Sequence, residues 1–265
     1  MQSIGAAARV VALIEAVAAA ESSVGVRELA RLTGIDKSAV SRLLVQLQRL
    51  GMVEQAQGVQ GRYAIGPRLF SVASLVAARD SLTMAARPIM RELVDVVEES
   101  CYLAVLERGE MVFRDKADCH KPIRYVLEIG RPMPIHAGAG GRAVLAGMTH
   151  SEAAALLESA FLEELTPQTV TDPKALLVMA QEDRSRGYPV SFGERVIGGT
   201  AVAAPYYSGD GSCRGALVLT IPSERLEPER VPDLGAAVAA AANRLSVRLG
   251  HSGTWHDTHP MPVTP

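Results

Sequence analysis

The 265-residue sequence predicts an α+β protein with a winged helix-turn-helix domain at its N-terminus and a larger mixed domain after it. Three observations support this prediction. Residues 26–66 combine two amphipathic helices, joined at a glycine, with two short strands. The rest of the chain mixes strands and helices without a regular βαβ alternation, which favours an α+β sheet domain. The length leaves room for two domains, each with its own core.

The composition and the distribution of charge narrow the class of protein. With 48% hydrophobic and 21% charged residues the chain is globular, and its net charge is only −2. Residues 1–68 nevertheless contain eight basic and five acidic residues, a net charge of +3, and the remainder carries −5. A small basic module on an acidic body is typical of a protein that binds nucleic acid through one end.

No segment predicts a membrane span or an export signal. The longest apolar runs are too short for a bilayer. Glu15 interrupts the apolar stretch of residues 10–20, which we interpret as part of an amphipathic first helix over residues 4–20. The three cysteines, Cys101, Cys119 and Cys213, are odd in number and lack CxxC spacing, which favours a cytoplasmic protein.

The helix-turn-helix is predicted within residues 26–50. Its first helix is short and amphipathic, and Gly34 ends it because glycine adopts a positive φ at low cost. Asp36 is suited to be the N-cap of the second helix. Apolar residues recur there at spacings of three and four, which predicts one buried stripe made of Val40, Leu43, Leu44, Leu47 and Leu50.

The polar face of the second helix is the predicted DNA-reading surface, and its partner would be a double-stranded operator. We expect four residues to face the major groove: Ser38, Ser41, Arg42 and Gln46. We expect four more to lie near phosphates or the flanking minor groove: Arg27, Lys37, Arg62 and Tyr63. Any solvated helical hairpin would show a similar polar face, so the prediction depends on the segment after the second helix.

A β-hairpin after the second helix distinguishes a winged helix-turn-helix from an ordinary helical pair. Residues 52–55 are predicted to form a strand, Gly58 to Gly61 a turn, and residues 62–65 the returning strand. Pro67 ends this wing, so we assign residues 1–67 to the first domain.

Residues 68–86 are predicted to form a linker helix, whose apolar residues exceed what one buried face needs. Packing against a partner subunit and packing against its own domain both remain open. The later elements are predicted in this order: helix 88–99 starting at Pro88, strands 102–107, 111–116 and 123–127, helices 142–147, 151–158 and 173–186, strands 188–192, 200–207 and 215–221, and helix 228–249. Residues 251–265 are expected to be a disordered tail.

To about residue 249 the chain resembles the IclR family of bacterial transcription regulators. The resemblance depends on ELARLTGIDKSAVSRLLVQLQRLGMV, GRPMPIHAGAGGRAVLAG, RGYPVSFGE, GGTAVAAPYY and RGALVLTIPSERL. It implies that residues 87–250 form a GAF-like effector-binding domain with a curved antiparallel sheet, and that the protein is a ligand-responsive transcription factor. It also implies dimers, or dimers of dimers, on a palindromic operator. Family members include both repressors and activators.

The segment from His136 to Gly141 is a candidate anion site. Its small residues let a ligand approach the backbone, and the helix predicted after it presents unpaired N–H groups and a positive dipole end. It matches neither GxxxxGK[ST] nor a Rossmann GxGxxG after a strand, so no nucleotide cofactor is expected. From the residues alone a tight turn without a ligand is equally open, whereas the family resemblance favours a ligand.

The resemblance implies nine effector-contacting positions: Pro122, Tyr125, Met133, Ala139, Gly140, Ser191, Ala201, Val218 and Thr220. Ala201 and Val218 are apolar here and Ser191 is uncharged, where the family often places acidic, thiol or hydroxyl groups. Such a pocket suits an aromatic or branched carboxylate, or a neutral aromatic molecule, better than a very small polar acid. The alternative is that Tyr125 and Met133 are ordinary core residues.

No catalytic or metal site is predicted. Cys119-His120 and His136 are poorly spaced for chelation, so a surface Cys-His loop is the preferred interpretation. Glu194 lacks a paired carboxylate, and the sequence has no nucleophile elbow or triad pattern. We therefore expect a regulator and not an enzyme. The alternative is a small-molecule sensor or an enzyme domain whose N-terminal module serves protein interaction.

Overall fold

The computed structural model describes residues 5–56, 59, 61–77 and 79–253. The chain divides into two units between Asp80 and Ser81, here called the N-terminal unit and the C-terminal unit. Each unit has its own cluster of buried hydrophobic residues, as the chain length predicted.

The N-terminal unit is a winged helix-turn-helix, as predicted. Its elements are α1 (Ala6–Ala18), β1 (Val24–Gly25), α2 (Val26–Thr33), α3 (Lys37–Arg49), β2 (Val53–Gln55), β3 (Arg62–Ile65) and α4 (Pro67–Ala77). The three strands pair antiparallel in the order β1-β3-β2. Of the turn predicted between β2 and β3, Gly58 and Gln60 lie outside the described residues.

The connection between α2 and α3 is determined by two residues. Gly34 has a φ of +66°, in the left-handed region that glycine adopts without strain. The Asp36 carboxylate accepts hydrogen bonds from the amides of Ser38 (2.9 Å) and Ala39 (3.2 Å), which would otherwise lack partners at the start of α3. One side of α3 then enters the core through Val40, Leu44 and Leu47.

The C-terminal unit is a six-stranded antiparallel sheet with helices on both faces. Its elements are α5 (Ser81–Val97), β4 (Ser100–Glu107), β5 (Glu110–Ala117), β6 (Pro132–Met133), α6 (Ala139–Gly147), α7 (His150–Ser159), α8 (Pro173–Arg186), β7 (Val190–Phe192), β8 (Gly199–Tyr207), β9 (Cys213–Pro222) and α9 (Val231–Arg248). The strand order is β6-β5-β4-β9-β8-β7, which confirms the predicted α+β antiparallel sheet.

Side chains along β9 alternate between the two faces of this sheet. One face packs against α5 and α9 and includes Leu217, Leu219 and Ile221. The other faces α6 and includes Ala216, Val218 and Thr220. The register of β4 against β5 shifts between Leu103 and Ala104, and such a bulge bends the strand.

The predicted linker helix of residues 68–86 is not one helix. α4 ends at Ala77, and α5 begins at Ser81. Pro88 was expected to start the next helix, but it lies inside α5. Because proline has no N–H, the carbonyl of Met84 loses its helical donor there. Met84 is exposed, so water can reach that carbonyl and the helix can continue through the proline.

The described residues 123–127 form no strand, in contrast to the prediction. Their backbone is held by a side chain instead: the Tyr102 hydroxyl donates to the Tyr125 carbonyl (3.1 Å) and accepts from the Leu127 amide (3.2 Å). The edge beside β5 is occupied by the two-residue strand β6, which was not predicted.

The disordered tail was predicted to begin at residue 251, which is too early in the chain. His251 is buried, and its ring stacks on Tyr207 with centroids 5.1 Å apart. Residues 254–265 lie outside the described residues.

Within the described parts of the chain, no helix by itself combines the length and hydropathy of a membrane span. Only the pair Pro67–Val76 and Ser81–Val97, counted together across a bend, reaches those values.

Candidate functional site

The exposed face of α3 is the candidate DNA-binding surface. Six of the eight predicted contact residues are solvent-exposed: Arg27, Lys37, Ser38, Ser41, Arg42 and Gln46. All except Arg27 lie on α3, whose opposite side is fixed in the core by Leu44 and Leu47. A helix that is anchored on one side and polar and basic on the other fits the major groove of B-form DNA.

Ser38 has a second role at the start of this surface. Its hydroxyl donates to the Asp36 carboxylate (2.5 Å) and holds the pKa of that carboxyl below its usual value. Because the single hydroxyl proton is occupied, Ser38 can offer DNA only its lone pairs. Those lone pairs match the amino groups of adenine or cytosine and not a phosphate.

The two predicted contact residues on β3 are placed differently from the other six. Tyr63 is buried in the core of the N-terminal unit, so it supports the wing instead of presenting its ring to DNA. Arg62 is half-buried: it donates to the Ser23 hydroxyl (3.0 Å) and to the Ser23 carbonyl, and lies 3.9 Å from a Glu28 oxygen. Neighbouring residues of a strand point to opposite faces, which is why only one of the two can face outward.

The C-terminal unit contains a cavity between its sheet and the start of α6. The empty space between the surrounding atoms, including the part open to solvent, is about 630 Å³. Eight of the nine predicted effector positions line it: Tyr125, Met133, Ala139, Gly140, Ser191, Ala201, Val218 and Thr220. Pro122 does not line it. This residue is exposed, and the strand predicted directly after it, over residues 123–127, does not form.

Most of the cavity wall is apolar, including residues that were not anticipated: Ala104, Met111, Phe113, Leu127, Pro134 and Val196. Phe113 packs against Tyr102 with ring centroids 5.2 Å apart. The Tyr125 hydroxyl donates to the Ile197 carbonyl (3.1 Å), which joins two loops at one side of the cavity. Alternation along β5 is the one sequence signal that pairs Met111 with Phe113 on a single face.

Two glycines of the predicted cluster shape the cavity. A Cβ at Gly141 would lie 1.7 Å from the Ile135 carbonyl oxygen, so only glycine fits at that point of α6. A Cβ at Gly140 would lie 3.0 Å from Val218 Cγ2 in the cavity wall. Glycine at these positions brings the α6 backbone close to its neighbours and leaves space beside Val218.

The predicted anion site at the start of α6 is partly occupied by the protein itself. The Gly138 amide donates to the Glu194 carboxylate (3.1 Å), and the Ala139 amide donates to the Ser191 hydroxyl oxygen (3.0 Å). Within the described chain, the amides of Gly140 and Gly141 have no acceptor. The helix start therefore presents a smaller set of free amides than its sequence suggests.

Glu194 belongs to a buried ionic cluster that sequence reasoning missed. Arg142 donates to both oxygens of Asp183 (2.8 and 2.9 Å) and to Glu194 (2.7 Å). All three side chains are buried. Burial raises the pKa of both carboxyls, and Arg142 opposes that rise. One arginine thereby ties α6 to α8 and to the loop after β7.

The adjacent residue, Arg195, lines the cavity and has no carboxylate partner among the described residues. Its guanidinium carbon lies 5.5 Å from the centroid of the Phe113 ring. Burial, together with the charge of Arg131, lowers the pKa of Arg195. No sequence pattern marks Arg195, because its place in the cavity depends on which strands are neighbours.

The described residues contain no group of three or more His, Cys, Asp or Glu side chains arranged to hold a metal ion. Cys119, expected in a surface loop, is buried, and its amide donates to the Ser100 hydroxyl (3.1 Å). His120 is exposed. His136 is buried, with Nε2 2.9 Å from the Glu163 carbonyl oxygen.

Comparison with known proteins identifies both units. Residues 6–57 match the model of the IclR helix-turn-helix domain, and residues 75–247 match that of the bacterial transcriptional regulator IclR C-terminal domain. The acetate operon repressor of Salmonella typhimurium is 31% identical over 240 residues, which covers 90% of this chain and 87% of the repressor. The transcriptional repressor IclR of Escherichia coli is 30% identical with the same coverage.

Solved structures share the fold. A protein from Silicibacter sp. TM1040 assigned to the IclR transcriptional regulators superposes with a TM-score of 0.79 at 29% identity, covering 94% of this chain and 97% of that one. An IclR homolog from Microbacterium hydrocarbonoxydans, solved in complex with 4-hydroxybenzoate, gives a TM-score of 0.75 at 26% identity, covering 91% and 97%.

Proposed function

The chain belongs to the IclR family of bacterial transcriptional regulators, and we propose that it is a ligand-responsive transcription factor that binds a palindromic operator. In this proposal α3 reads the DNA, and the cavity of the C-terminal unit holds a small organic effector. The observation that supports it most directly is the pairing, in one chain, of an exposed basic helix with an apolar cavity lined by eight predicted effector positions.

On DNA we place four exposed residues of α3 in the major groove: Ser38, Ser41, Arg42 and Gln46. Arg42 lies on this face, and its guanidinium can donate two hydrogen bonds to the edge of guanine. Arg27 and Lys37 are assigned to phosphates, and Arg62 supports the wing from beside Ser23.

The effector is proposed to be an aromatic or branched organic acid of about the size of benzoate. The apolar wall, with Phe113 and Tyr125, supports an apolar body, and the free amides at the start of α6 support an anionic end. The complex of a relative with 4-hydroxybenzoate supports the same class. Tighter binding of glyoxylate than of benzoate would contradict this assignment.

We propose that the protein acts as a dimer, or as a dimer of dimers, because a palindrome presents the same half-site twice. α4 carries four exposed apolar side chains: Phe70, Val72, Leu75 and Val76. At helical spacing Val72, Leu75 and Val76 lie on one side of α4 and Phe70 on the other. Exposed apolar side chains of this kind on a surface helix are typical of a contact with a partner.

The effector can act as a switch only if it binds one dimer arrangement better than another. We propose that residues 68–86, which include nearly all of α4 and the start of α5, change the spacing of the half-sites. A disulfide between protomers through Phe70→Cys would fix that segment. The crosslinked protein should lose most of its ligand response on DNA, and an unaltered response would argue against this role.

The proposed function is tested by fluorescence anisotropy of the full chain on the DNA upstream of its own gene. Benzoate, 4-hydroxybenzoate, isobutyrate and glyoxylate serve as probes. We expect saturable binding that weakens steeply with salt and changes when one aromatic acid is added. Binding no tighter than that to a scrambled sequence, under every ligand, would refute the regulator.

The alternative from another class is an enzyme or sensor that uses its N-terminal unit for protein interaction. Catalysis has no support in the cavity, because the Glu194 carboxylate is already held by Arg142 and Gly138. We therefore propose that the protein is not an enzyme and acts in the cytoplasm. Turnover of a probe by the full chain, retained when Arg42 is replaced, would favour the alternative.

A further inference from the structure

Arg195 is the charged side chain in the cavity whose purpose the fold itself does not explain. It lines the cavity, and its Cβ is 3.9 Å from the position that a Cβ on Gly138 would occupy. The arginine therefore stands beside the start of α6, where the free amides of Gly140 and Gly141 lie. Arg195, Gly140 and Gly141 all line the cavity, so an effector in it has access to both kinds of donor.

We propose that Arg195 is the specificity-determining residue of the cavity and that it binds the carboxylate of an aromatic or branched monocarboxylic acid. This inference rests on the proposed function, since it concerns the effector of the same site. It assigns the anionic end of the ligand mainly to a side chain, whereas the sequence had pointed to the helix backbone.

The charges around Arg195 are already paired with other groups. Glu194, its neighbour in the chain, and Asp183 are buried carboxylates that are both held by Arg142. Glu128, which also interacts with Arg195, is exposed and pairs with Arg131 at 3.0 Å. Arg195 is thus left without a carboxylate of its own in the described structure, although charged groups that leave water are normally paired.

The same cavity contains a buried hydroxyl group without a hydrogen-bond partner in the described structure. Thr220 is buried and lines the cavity, and its Oγ1 has no hydrogen-bond partner in the described structure. Buried hydroxyl groups without partners are rare, and an absent ligand is one explanation for them. Ser191 also lines the cavity, and its oxygen accepts from the Ala139 amide, so its proton stays available to a ligand.

The wall beside Arg195 is suited to the apolar body of a ligand. The Arg195 guanidinium lies over the Phe113 ring, a position that holds the cation against an apolar wall. A ligand with its carboxylate on Arg195 would extend along Phe113 and Val218, where polar groups are scarce. A carboxylate joined directly to a ring or to a branched chain matches this arrangement of one charged end and one apolar end.

The test compares a charged probe with its neutral isostere. Benzoate and benzamide are titrated into the full-length protein by isothermal titration calorimetry. The wild type should prefer benzoate. Arg195→Gln should weaken benzoate binding by about 10-fold to 100-fold, the effect expected for loss of a charged hydrogen bond, and leave benzamide binding unchanged. Arg244→Gln is the matched control, because this arginine is exposed, pairs with Glu92 and lies on α9, which packs on the sheet face opposite the cavity, and it should change neither affinity by more than about 2-fold.

A second variant, Thr220→Val, should give a result that would not be expected if Thr220 had only a structural role. It removes the unpartnered hydroxyl and keeps the shape of the side chain, so the free protein should melt at the same or a higher temperature while benzoate binds more weakly. A Thr220→Val protein that binds benzoate as tightly as the wild type would remove this residue from the site.

The remaining outcomes separate the inference from the proposed function. If Arg195→Gln leaves the ratio of benzoate to benzamide affinity unchanged, Arg195 does not recognise the carboxylate and the inference is wrong. If the wild type binds none of benzoate, 4-hydroxybenzoate and isobutyrate, the inference is also wrong. If the same preparation bound its operator specifically, the proposed function as a DNA-binding regulator would be unaffected.

Discussion

Arg142 stabilises the backbone at the start of α6, beside the cavity, by holding buried carboxylates. It holds two buried carboxylates, and one of them, Glu194, positions the Gly138 amide at the start of α6. Without Arg142, Asp183 and Glu194 would remain as unpaired buried anions. Removing one partner from a buried ionic cluster typically costs about 3–5 kcal/mol, whereas an intact cluster adds little net stability.

We predict that Arg142→Met lowers the free energy of unfolding by about 3–5 kcal/mol near neutral pH, measured by urea denaturation. Burial raises the pKa of Asp183 and Glu194, and Arg142 opposes that rise, so the folded-state pKa values increase further in the variant. As the pH falls from neutral toward their ordinary values of 3.8 and 4.5, the folded variant takes up protons before the unfolded chain does. The deficit should therefore shrink with falling pH, and a deficit independent of pH would contradict this account.

Arg42 and Tyr63 provide a test residue and a control residue for DNA binding. Arg42 is exposed on α3, so Arg42→Ala should weaken operator binding by about 1–3 kcal/mol and relax specificity if it reads a base. Tyr63 is buried, so Tyr63→Phe should leave operator binding unchanged. Anisotropy titrations on the operator and on a scrambled sequence check both. If Arg42→Ala weakened binding to the operator and to the scrambled sequence equally, Arg42 would contact a phosphate and not a base.

At the scale of helices and strands, the elements with strong local signals were the predictable ones. α8 has its predicted bounds because Asp172 caps it, Pro173 begins it, and Gly187 ends it in the left-handed region. The segment 123–127 has a strand-like alternation, but the Tyr102 hydroxyl takes the backbone groups that a neighbouring strand would need. That contact depends on the fold of the whole sheet, so no local pattern could reveal it.

In the candidate site, too, some residues could be predicted from the local sequence and others could not. The glycine turn and seven of the eight cavity positions, all except Tyr125, were predictable because they lie in sequence blocks that resemble a family. Phe113 and Arg195 were not, since they meet between β5 and the loop after β7. The occupation of the Gly138 and Ala139 amides was missed for the same reason, because Glu194 and Ser191 lie more than 50 residues away.

The start of α6 allows a paired test of two adjacent glycines. Gly140→Ala should narrow the cavity beside Val218 and weaken benzoate binding at least about 10-fold, while alanine adds up to about 1 kcal/mol of helix propensity. Gly141→Ala should instead lower the melting temperature sharply, because its Cβ would meet the Ile135 carbonyl at 1.7 Å. Calorimetry and thermal melts separate the two effects. A Gly140→Ala protein with wild-type affinity would show that ligands do not approach α6.

α4 carries the prediction about assembly. Phe70 and Leu75 are each 65% exposed, so a double change to serine should leave folding intact and weaken self-association. Sedimentation velocity over a range of concentrations would show a smaller average mass than for the wild type. Val178→Ser, which alters a similarly exposed residue of α8, is the control and should have no effect. Unchanged association of the double variant would place the contact elsewhere.

Across the whole molecule, the basic N-terminal part and the acidic remainder correspond to separate units with separate cores. We predict that residues 81–253 alone fold and bind benzoate with the affinity of the full chain, because the cavity is built entirely from this unit. The fragment should show no salt-dependent binding to the operator. Circular dichroism and calorimetry test the prediction, and an unfolded fragment would show that the unit needs residues 1–80 for stability.

The alternation along β9 has a consequence for how such regulators diversify. Val218 and Thr220 face the cavity, whereas Leu217, Leu219 and Ile221, interleaved with them, face α5 and α9. Mutations of the cavity-facing residues can therefore change the preference for ligands, while selection for solubility and folding acts on the residues of the opposite face. A gene duplicate, or a biosensor library restricted to the cavity-facing residues, could explore new inducers without first rebuilding the scaffold.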